Sequence, residues 1–343
     1  MRVAIIGVGR WGVNHVRVLT ELMRESQYEA QIDAVKVVDT DIKRAKAAAE
    51  KYAATGYTDN IDEVVSEGFD AAIVAVPTLY HYKVVMKLLP HMHVMVEKPI
   101  ASSLREAKEM IRLAEKEGRI LAVGHIERFN PVIPALKDRL RGKEDGIKYI
   151  AAERIGPGPA RTHTYNLGVA HDLLVHDVDA VNYLLEDIPV KVYATAVWEA
   201  NYPYETEITA LYTFNNGIIA SLRASWRTGP SLKKRSISIQ LENEIIEADY
   251  ILQTIRVEKG LAEHASRGEY TDIISTYTSR VVETWSMLGV RKEPLLLEDL
   301  HFLQCLKNGK QPINNGEIGL KALKCILRAL ESAKLQSPVK IDW

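Results

Sequence analysis

The sequence predicts a two-domain α/β protein, in which a doubly wound parallel sheet is followed by an α+β domain built on an open, mostly antiparallel sheet. The N-terminal third of the chain alternates short apolar runs with segments of helical period, and a glycine-rich turn follows the first run. The second half instead holds several strand-like runs in succession. At 343 residues the chain is long for a single core, which also favours two domains.

The N-terminal domain is predicted at residues 1–123. Continuously apolar runs are typical of strands buried on both faces of a parallel sheet, and they occur here at residues 3–6, 34–38, 71–75, 94–96 and 120–123. Segments of helical period lie between these runs, at residues 11–23, 42–52, 80–89 and 104–115. Repeated strand–helix units of this kind predict a doubly wound fold.

The C-terminal domain is predicted at residues 124–343. A helix, a strand and a second helix come first, at residues 132–140, 148–154 and 169–184. Strand-like runs follow at residues 190–198, 208–214, 218–226, 236–241 and 244–248, and two helices at 296–308 and 318–335 end the domain. Strands that follow one another without helices predict an antiparallel or mixed sheet, and Asn215-Asn216-Gly217 is a hairpin signal between two of them.

Charge and composition exclude several function classes. The formal net charge is −1, which gives no general attraction toward nucleic acid or anionic lipid. No apolar stretch reaches the roughly 20 residues that span a bilayer. The two cysteines, Cys305 and Cys325, have no metal-like spacing and are expected to be buried thiols. We therefore expect a cytoplasmic protein that acts on a small molecule, without nucleic-acid or membrane partners.

A glycine-rich turn at residues 7–12 fits the GxGxxG pattern of dinucleotide-binding sites. It follows a predicted strand and opens a predicted helix, whose N-terminus offers free N–H groups to phosphates. Gly7 permits the tight turn, Gly9 lets the backbone approach a pyrophosphate, and Gly12 allows helix and strand to pack closely. The turn therefore predicts a Rossmann cofactor site rather than a glycine turn without a ligand. Its predicted cofactor residues are Gly7, Gly9, Arg10, Trp11 and Gly12.

Asp39 ends the second predicted strand, where a carboxylate accepts both hydroxyls of the adenosine ribose. The same carboxylate repels a 2′-phosphate, so NAD is predicted as the cofactor in preference to NADP. Lys43 and Arg44 lie close in sequence and leave room for a phosphate, which keeps NADP open. The gap from Gly12 to Asp39 is longer than usual, because residues 24–31 resemble a loop insertion.

Glu97-Lys98-Pro99 directly follows a predicted buried strand. In an open α/β sheet, ligands bind outside the carboxyl ends of the strands, so this segment is expected to face a ligand rather than to form a surface ion pair. We predict a cis Lys98–Pro99 peptide bond that turns the chain toward the next helix. Ser102 or Ser103 is expected to cap that helix.

With these motifs the chain resembles the Gfo/Idh/MocA oxidoreductases, which are NAD(P)-dependent sugar and polyol dehydrogenases. The matching segments are the N-terminal GxGxxG turn, Ala75-Val76-Pro77 with His81, Glu97-Lys98-Pro99, residues 124–131 and residues 172–179. The resemblance implies a Rossmann domain and an α+β domain whose open sheet serves oligomerisation. It also implies cofactor contacts at Ala75, Val76, Pro77, His81, Glu97 and Lys98, and substrate contacts at Lys98, Arg128, Asn130, Asp172 and His176.

Asp172 and His176 are four residues apart, which places them on one face of an α-helix. One alternative is that His176 has a purely structural role. A zinc site is another, but His171 and His176 are five residues apart rather than four, and no metal is expected. The resemblance assigns Asp172 and His176, together with Lys98, to the catalytic group.

Oxidation of a hydroxyl needs a group that takes the O–H proton while hydride leaves the same carbon. Either His176 or Lys98 is the base, since a histidine titrates near neutrality and a nearby nicotinamide cation depresses the pKa of a lysine. In the first case Lys98 stabilises the developing alkoxide. Asp172 is expected to orient the pair.

Residues 154–161 and the helix after them are similar to a subset of the family that oxidises C3 of UDP-N-acetylglucosamine and related nucleotide sugars. Arg154 and Arg161 either bind the diphosphate or are solvated surface arginines. The expected function is therefore an NAD-dependent dehydrogenase of such a nucleotide sugar. The alternatives are an inositol or free-sugar dehydrogenase and a catalytically silent, NAD-responsive regulator.

The strand predicted at residues 190–198 suggests how the chain assembles. Val192, Ala194, Ala196 and Trp198 are apolar and alternate with other residues, so they are expected on one face of the sheet. If no helix covers that face, it exposes too much apolar area for a monomer. We therefore expect a homodimer or homotetramer joined through this sheet.

Overall fold

The computed structural model describes residues 1–25, 31–158, 167–261, 269–287 and 293–343. The chain forms two compact units, and neither is continuous in sequence. Unit 1 comprises Met1–Phe129, Arg161–Asp179 and Lys292–Lys324, and unit 2 comprises Asn130–Ala160, Ala180–Arg291 and Cys325–Trp343. The domain boundary predicted after residue 123 falls inside unit 1 and stays a prediction.

Unit 1 is built on six parallel strands in the order β3-β2-β1-β4-β5-β6. In chain order they are β1 Arg2–Ile6, β2 Ala34–Val38, β3 Gly56–Thr58, β4 Ala71–Val74, β5 His93–Glu97 and β6 Leu121–Gly124. This is the strand order of a doubly wound dinucleotide-binding sheet, and ligands bind where it reverses, beside β1 and β4. The predicted fold class is confirmed.

Helices follow most of these strands, as the periodic segments predicted. They are α1 Gly12–Arg24, α2 Ile42–Tyr52, α3 Ile61–Ser66, α4 His81–Leu88 and α5 Leu104–Lys116. Asp41 caps α2 by accepting from two backbone N–H groups, and Ser103 caps α5 by accepting from Glu106 N at 3.3 Å. The Lys98–Pro99 bond that precedes this cap is cis, as predicted.

The chain then continues through α6 Val132–Leu140 and β7 Tyr149–Ile155. The helix predicted at residues 169–184 has two parts, because a π-helical turn at Ala170–Leu174 precedes α7 Val175–Leu185. The simple α-helical spacing assumed for this segment is therefore wrong over its first turn.

Unit 2 is built on a nine-stranded sheet in the order β14-β13-β12-β11-β7-β10-β9-β8-β15. Only β7 and β10 pair in parallel among these neighbours, so the sheet is mostly antiparallel, as predicted. Its later strands are β8 Lys191–Trp198, β9 Glu205–Thr213, β10 Ile219–Ser225, β11 Lys234–Gln240, β12 Glu244–Asp249, β13 Thr254–Gly260, β14 Arg280–Ser286 and β15 Val339–Lys340. The remaining helices are α8 Tyr270–Thr278, α9 Pro294–Asn308 and α10 Gly316–Leu335.

The sheet face that was expected to be exposed is instead largely covered. Val192 and Ala194 are buried, and Ser332 on α10 accepts from the backbone N–H of Ala194 at 3.0 Å. A register shift between Val197 and Trp198 then changes the alternation, and Trp198 is exposed. The face opposite Val192 carries exposed apolar side chains, namely Tyr149, Tyr193, Leu211 and Ile219.

Candidate active site

The glycine-rich turn follows β1 and has the geometry of a pyrophosphate cradle. Gly7 has a φ of +90°, and a Cβ there would lie 2.8 Å from Val76 Cγ1. A Cβ on Gly12 would collide with the carbonyl oxygen of Gly7, so both glycines are required by close packing. No described heavy atom beyond its chain neighbours lies within 4 Å of the Cβ position of Gly9, which leaves that backbone open to approach. The turn therefore fits a bound dinucleotide.

Asp39 lies beside the turn at the end of β2, in the place expected for a ribose partner. Its carboxylate is buried and accepts from Val8 N at 2.9 Å and from Asp41 N at 3.0 Å. Arg44 Nη1 donates to it at 3.3 Å from a half-exposed side chain. These bonds fix the carboxylate next to the phosphate loop, while the neighbouring guanidinium offsets part of its negative charge.

Ala75-Val76-Pro77 follows β4, the strand next to β1. His81, at the start of α4, lies beneath this segment and is buried. Its Nε2 is 2.9 Å from the carbonyl oxygen of Val76 and its Nδ1 is 3.0 Å from that of Pro99. Burial lowers the pKa of His81 despite these two acceptors. The ring thus connects the loops after β4 and β5, which is an indirect way of shaping the cofactor site.

Glu97 ends β5 and turns inward rather than toward solvent. Its Oε1 accepts from Trp11 Nε1 at 2.6 Å, and its Oε2 accepts from the backbone N–H of Lys98 at 3.1 Å. A Cβ on Gly124 would lie 2.8 Å from its carboxyl carbon, so glycine there leaves space for the carboxylate. Glu97 therefore joins the phosphate loop to the segment that carries Lys98.

Lys98 contacts the π-helical turn within unit 1. Its Nζ donates to the Asp172 backbone oxygen at 2.6 Å and to Asp172 Oδ1 at 3.1 Å. The lysine side chain is 16% exposed and that of Asp172 46%, so the pair lies at the border between protein and solvent. π-Helical turns often occur at functional sites, and here one presents both a carbonyl and a carboxylate to the same ammonium.

Two histidines on this segment differ in their surroundings. His171 is buried, and burial followed by the Lys98 charge lowers its pKa to about 4, so its ring is neutral at physiological pH. His176 is half-buried, one residue into α7. Because π-helical bonds join residues five apart, the five-residue spacing of His171 and His176 does not separate them here as it would in a regular α-helix.

Arg128, which the resemblance assigned to the substrate, is bound inside unit 1. Its Nε donates to Asp179 Oδ2 at 2.9 Å and its Nη2 to Asp179 Oδ1 at 2.7 Å, while its Nη1 donates to the carbonyl oxygen of Ile313 at 2.7 Å. The side chains of both ionic partners are at most 4% exposed. This geometry is that of a buried structural ion pair.

Three other predicted substrate residues belong to unit 2 or to undescribed parts of the chain. Asn130 donates to the Tyr250 backbone oxygen at 3.2 Å and is buried. Arg154 is 1% exposed on the covered face of β7, with its guanidinium 5.1 Å from the Tyr250 ring centre, so the interpretation as a solvated surface arginine is wrong. Arg161 lies outside the described residues.

Several polar residues near the predicted site were not singled out from the sequence. His15 on α1 and Asp299 on α9 hydrogen bond to each other, and His15 also contacts Glu97. Glu298 is fully buried beside them. The available signal was a polar residue within the apolar face of an otherwise amphipathic helix. That signal does not indicate which of these residues contact one another in the folded protein.

Comparison with known proteins bears on what this arrangement does. A family model described as an oxidoreductase family with an NAD-binding Rossmann fold matches residues 1–125. A second model, described as the C-terminal alpha/beta domain of an oxidoreductase family, matches residues 161–341. The chain belongs to the Gfo/Idh/MocA oxidoreductase family.

Relatives of the chain are dehydrogenases of different substrates. UDP-N-acetylglucosamine 3-dehydrogenase of Acidithiobacillus ferrooxidans is 30% identical over 226 residues, which cover 66% of this chain and 67% of that protein. scyllo-Inositol 2-dehydrogenase (NAD(+)) of Bacillus subtilis is 26% identical, covering 100% of this chain and 96% of that protein. A solved structure of the Acidithiobacillus ferrooxidans enzyme GnnA has a TM-score of 0.79 at 24% identity, covers 98% of both chains, and shows the shared fold.

The chain is thus an NAD-dependent dehydrogenase of the sugar and polyol class, which confirms the predicted cofactor and sets aside the silent regulator. Within the described ranges, no helix is long and apolar enough to cross a membrane. In that same part of the chain, no group of three or more His, Cys, Asp or Glu side chains is arranged to hold a metal ion.

Proposed function

We propose that this enzyme oxidises a secondary hydroxyl of a nucleotide sugar, C3 of UDP-N-acetylglucosamine or a close relative. The observation that carries the reaction is the Lys98–Asp172 contact at the carboxyl edge of the Rossmann sheet, beside the cofactor cradle. The substrate class is supported by the similarity to UDP-N-acetylglucosamine 3-dehydrogenase. When bound, NAD supplies the hydride acceptor.

In the proposed mechanism Lys98 acts as a donor and His176 as the base. A lysine ammonium has three N–H groups, and two of them point to the backbone and carboxylate oxygens of Asp172. We assign the third to the substrate oxygen, where a fixed positive donor stabilises the developing alkoxide. A group that serves as donor keeps its protons, so the hydroxyl proton passes to the imidazole of His176.

The roles are tested with Lys98→Met, His176→Ala and the matched control Lys116→Met, whose side chain is largely exposed on α5 of the same unit. Both site variants are expected to lose turnover by a factor of about 10² to 10⁴, the range for removal of one general acid–base or charge-stabilising group. Calorimetry is expected to show that both site variants still bind NAD, with the affinity of His176→Ala close to that of the wild type and that of Lys98→Met lowered by the loss of an expected cofactor contact. Wild-type turnover in either site variant would remove that residue from the mechanism.

The substrate is tested by incubating the enzyme and NAD with UDP-N-acetylglucosamine, other UDP-sugars, inositols and free sugars. NADH absorbance and the mass of the product are followed together, because tightly held cofactor can hide net NADH release. A product two hydrogens lighter from the UDP-sugars supports the proposal. The scyllo-inositol 2-dehydrogenase relative, which matches over the whole chain, favours inositol as the second candidate, and oxidation of inositol alone would replace our proposal.

We also propose cofactor contacts at Gly9 and Asp39 and a substrate contact at Arg161. Gly9 and Asp39 have the geometry expected of cofactor contacts. Arg154 is buried on β7, so we keep Arg161 as the proposed diphosphate partner on the sequence alone. Arg161→Ala is expected to raise KM for a UDP-sugar and to leave kcat unchanged. A variant with wild-type KM would remove Arg161 from the substrate site.

A further inference from the structure

A buried chain of hydrogen bonds lies behind the phosphate loop, entirely within unit 1. His15 on α1 is fully buried, with Nε2 3.0 Å from Glu97 Oε1 and Nδ1 2.9 Å from Asp299 Oδ1. Its imidazole therefore lies between two carboxylates. A neutral imidazole has one N–H and donates to only one of them, whereas an imidazolium donates to both.

The surroundings of His15 favour the imidazolium. Burial lowers the pKa of His15, but the charge and hydrogen bond of Asp299 and then those of Glu97 outweigh burial and leave the pKa well above its ordinary value. Glu298 also faces the cluster; burial, followed by the Glu97 and Asp299 charges, raises the pKa of Glu298 well above its usual range. Burial raises the pKa of Asp299 as well, against the charge and hydrogen bond of His15, which lower it. With Glu298 neutral, the His15 imidazolium lies between the Glu97 and Asp299 carboxylates. Among the described residues, Lys98 also acts on Glu97 and Glu293 on Asp299. The buried rings of His81 and His125, whose pKa values burial lowers, interact with Glu97 as well.

Glu97 carries the effect of His15 to the active site. The same Oε1 that contacts His15 accepts from Trp11 Nε1 in the phosphate loop, and Oε2 accepts from the backbone N–H of Lys98. Gly124 leaves no spare room on the side of β6, since even a Cβ there would press on the carboxylate. Burial raises the pKa of Glu97, but the His15 hydrogen bond and charge, followed by the Lys98 charge and the Trp11 hydrogen bond, together outweigh burial and lower it.

We propose that His15 is a positioning residue for this dehydrogenase. Clamped by Asp299, its imidazolium holds the Glu97 carboxylate, and Glu97 in turn holds both Trp11 of the cofactor loop and the backbone of Lys98. The proposal rests on the assignment of Lys98 to the catalytic group. A loop held in place before the cofactor arrives binds it more tightly, because less order has to be gained on binding.

The proposal predicts a pH dependence of NAD affinity. Below the pKa of folded His15 the imidazolium bonds to both carboxylates, and NAD affinity is at its maximum. As pH rises through that pKa, one of the two bonds is lost. Both Asp299 oxygens lie within 3.1 Å of His15 Nδ1, so the remaining proton stays on that side, Glu97 loses its bond to His15, and affinity falls. A histidine that only fills space would cause no such alkaline decline in NAD affinity, since its packing does not depend on whether the ring is protonated. We call this decline the alkaline limb.

We would measure the dissociation constant of NAD by calorimetry across the pH range where each protein stays folded. The proteins are the wild type, His15→Gln, Asp299→Asn and the control His93→Gln. His93 is a partly buried histidine at the other end of β5, where it accepts from Ile120 N. Asp299→Asn is isosteric and keeps an acceptor for His15 Nδ1, but removes the charge that favours the imidazolium. Urea unfolding of each unloaded protein reports stability separately.

Wild type and His93→Gln are expected to bind NAD more weakly as pH rises into the alkaline range. His15→Gln is expected to bind about tenfold more weakly at neutral pH, as for loss of one hydrogen bond to a charged group, and to show no alkaline limb. In Asp299→Asn the limb is expected at lower pH, and this variant decides the question if His15→Gln does not fold. Superimposable profiles of wild type and Asp299→Asn would overturn the proposal. NAD binding needs no sugar, so failure of the substrate panel leaves this test intact.

Discussion

Arg128 offers the sharpest test of the structure, because the family resemblance and the geometry give it different roles. In the structure its guanidinium donates to both oxygens of Asp179 and to the carbonyl oxygen of Ile313, with almost no exposure to solvent. His125 Nδ1 is 3.6 Å from Asp179 Oδ2, and burial lowers the pKa of His125 while the Asp179 charge raises it. Arg128→Met therefore leaves a buried carboxylate without its counter-charge.

Removing one partner of a buried ion pair costs about 3–5 kcal/mol of unfolding free energy. With a urea dependence of roughly 2 kcal/mol per molar, the unfolding midpoint of unit 1 should fall by about 1.5–2.5 M. The double variant Arg128→Met with Asp179→Leu removes both charges, so it should lose much less than the single variant. Arg17→Met, which breaks a partly exposed contact with Glu293, should cost less than about 1 kcal/mol.

The assay is urea unfolding monitored by circular dichroism. It is combined with a measurement of KM for whichever of the UDP-sugars, inositols and free sugars tested above proves to be the substrate. The expected result is a large loss of stability in Arg128→Met that the second substitution mostly restores. If Arg128→Met kept the wild-type midpoint and raised KM instead, the ion pair would not be structural, and the substrate contact implied by the resemblance would be correct.

Asp39→Ala should weaken NAD binding and narrow the preference for NAD over NADP, since it removes the proposed ribose acceptor and releases Arg44. Tighter binding of NADP than of NAD by the wild type in a titration would contradict this. Tyr193→Glu with Leu211→Glu, on the exposed face of the unit 2 sheet, should dissociate the expected dimer or tetramer in light scattering, and a monomeric wild type at micromolar concentration would rule out that assembly. Because the pKa of His15 is raised in the folded state, its imidazolium stabilises the fold fully below about pH 6.5, and this stabilisation is lost as pH rises through the folded pKa. The alkaline decline in the urea midpoint should therefore be smaller in His15→Gln than in the wild type. Parallel declines in the two proteins would show that other groups cause the wild-type decline.

Most of unit 1 was predictable because its signals are local. The apolar runs and the glycine turn each specify a short segment, and the alternation of strands and helices predicts a doubly wound sheet. The strand order was not predicted, because doubly wound sheets occur with more than one order. The short β3 and α3 were missed, since three to six residues carry too little pattern. In unit 2, β13, β14 and α8 were also missed, although β13 alternates polar and apolar residues.

Arg154 shows where the interpretation of a single residue type misled. It was grouped with the glycine–proline loop that follows, because an arginine near such a loop suggests an anion site. Ile150 and Ala152 precede it at intervals of two, so strand alternation places all three on one face, and that face is buried. The alternation was present in the sequence and was the better guide.

The cluster around His15 required the structure, for a physical reason. His15 and Leu19 share a buried helical face, and Glu298 and Asp299 interrupt an apolar helix, so both breaks in pattern are visible in the sequence. His15 and Asp299 are 284 residues apart, however, and no local rule pairs them. Buried ion pairs contribute little to stability compared with apolar residues of the same shape. Stability is therefore a weak explanation for a charged cluster directly behind Lys98, and control over the position of Lys98 and the phosphate loop is the stronger one.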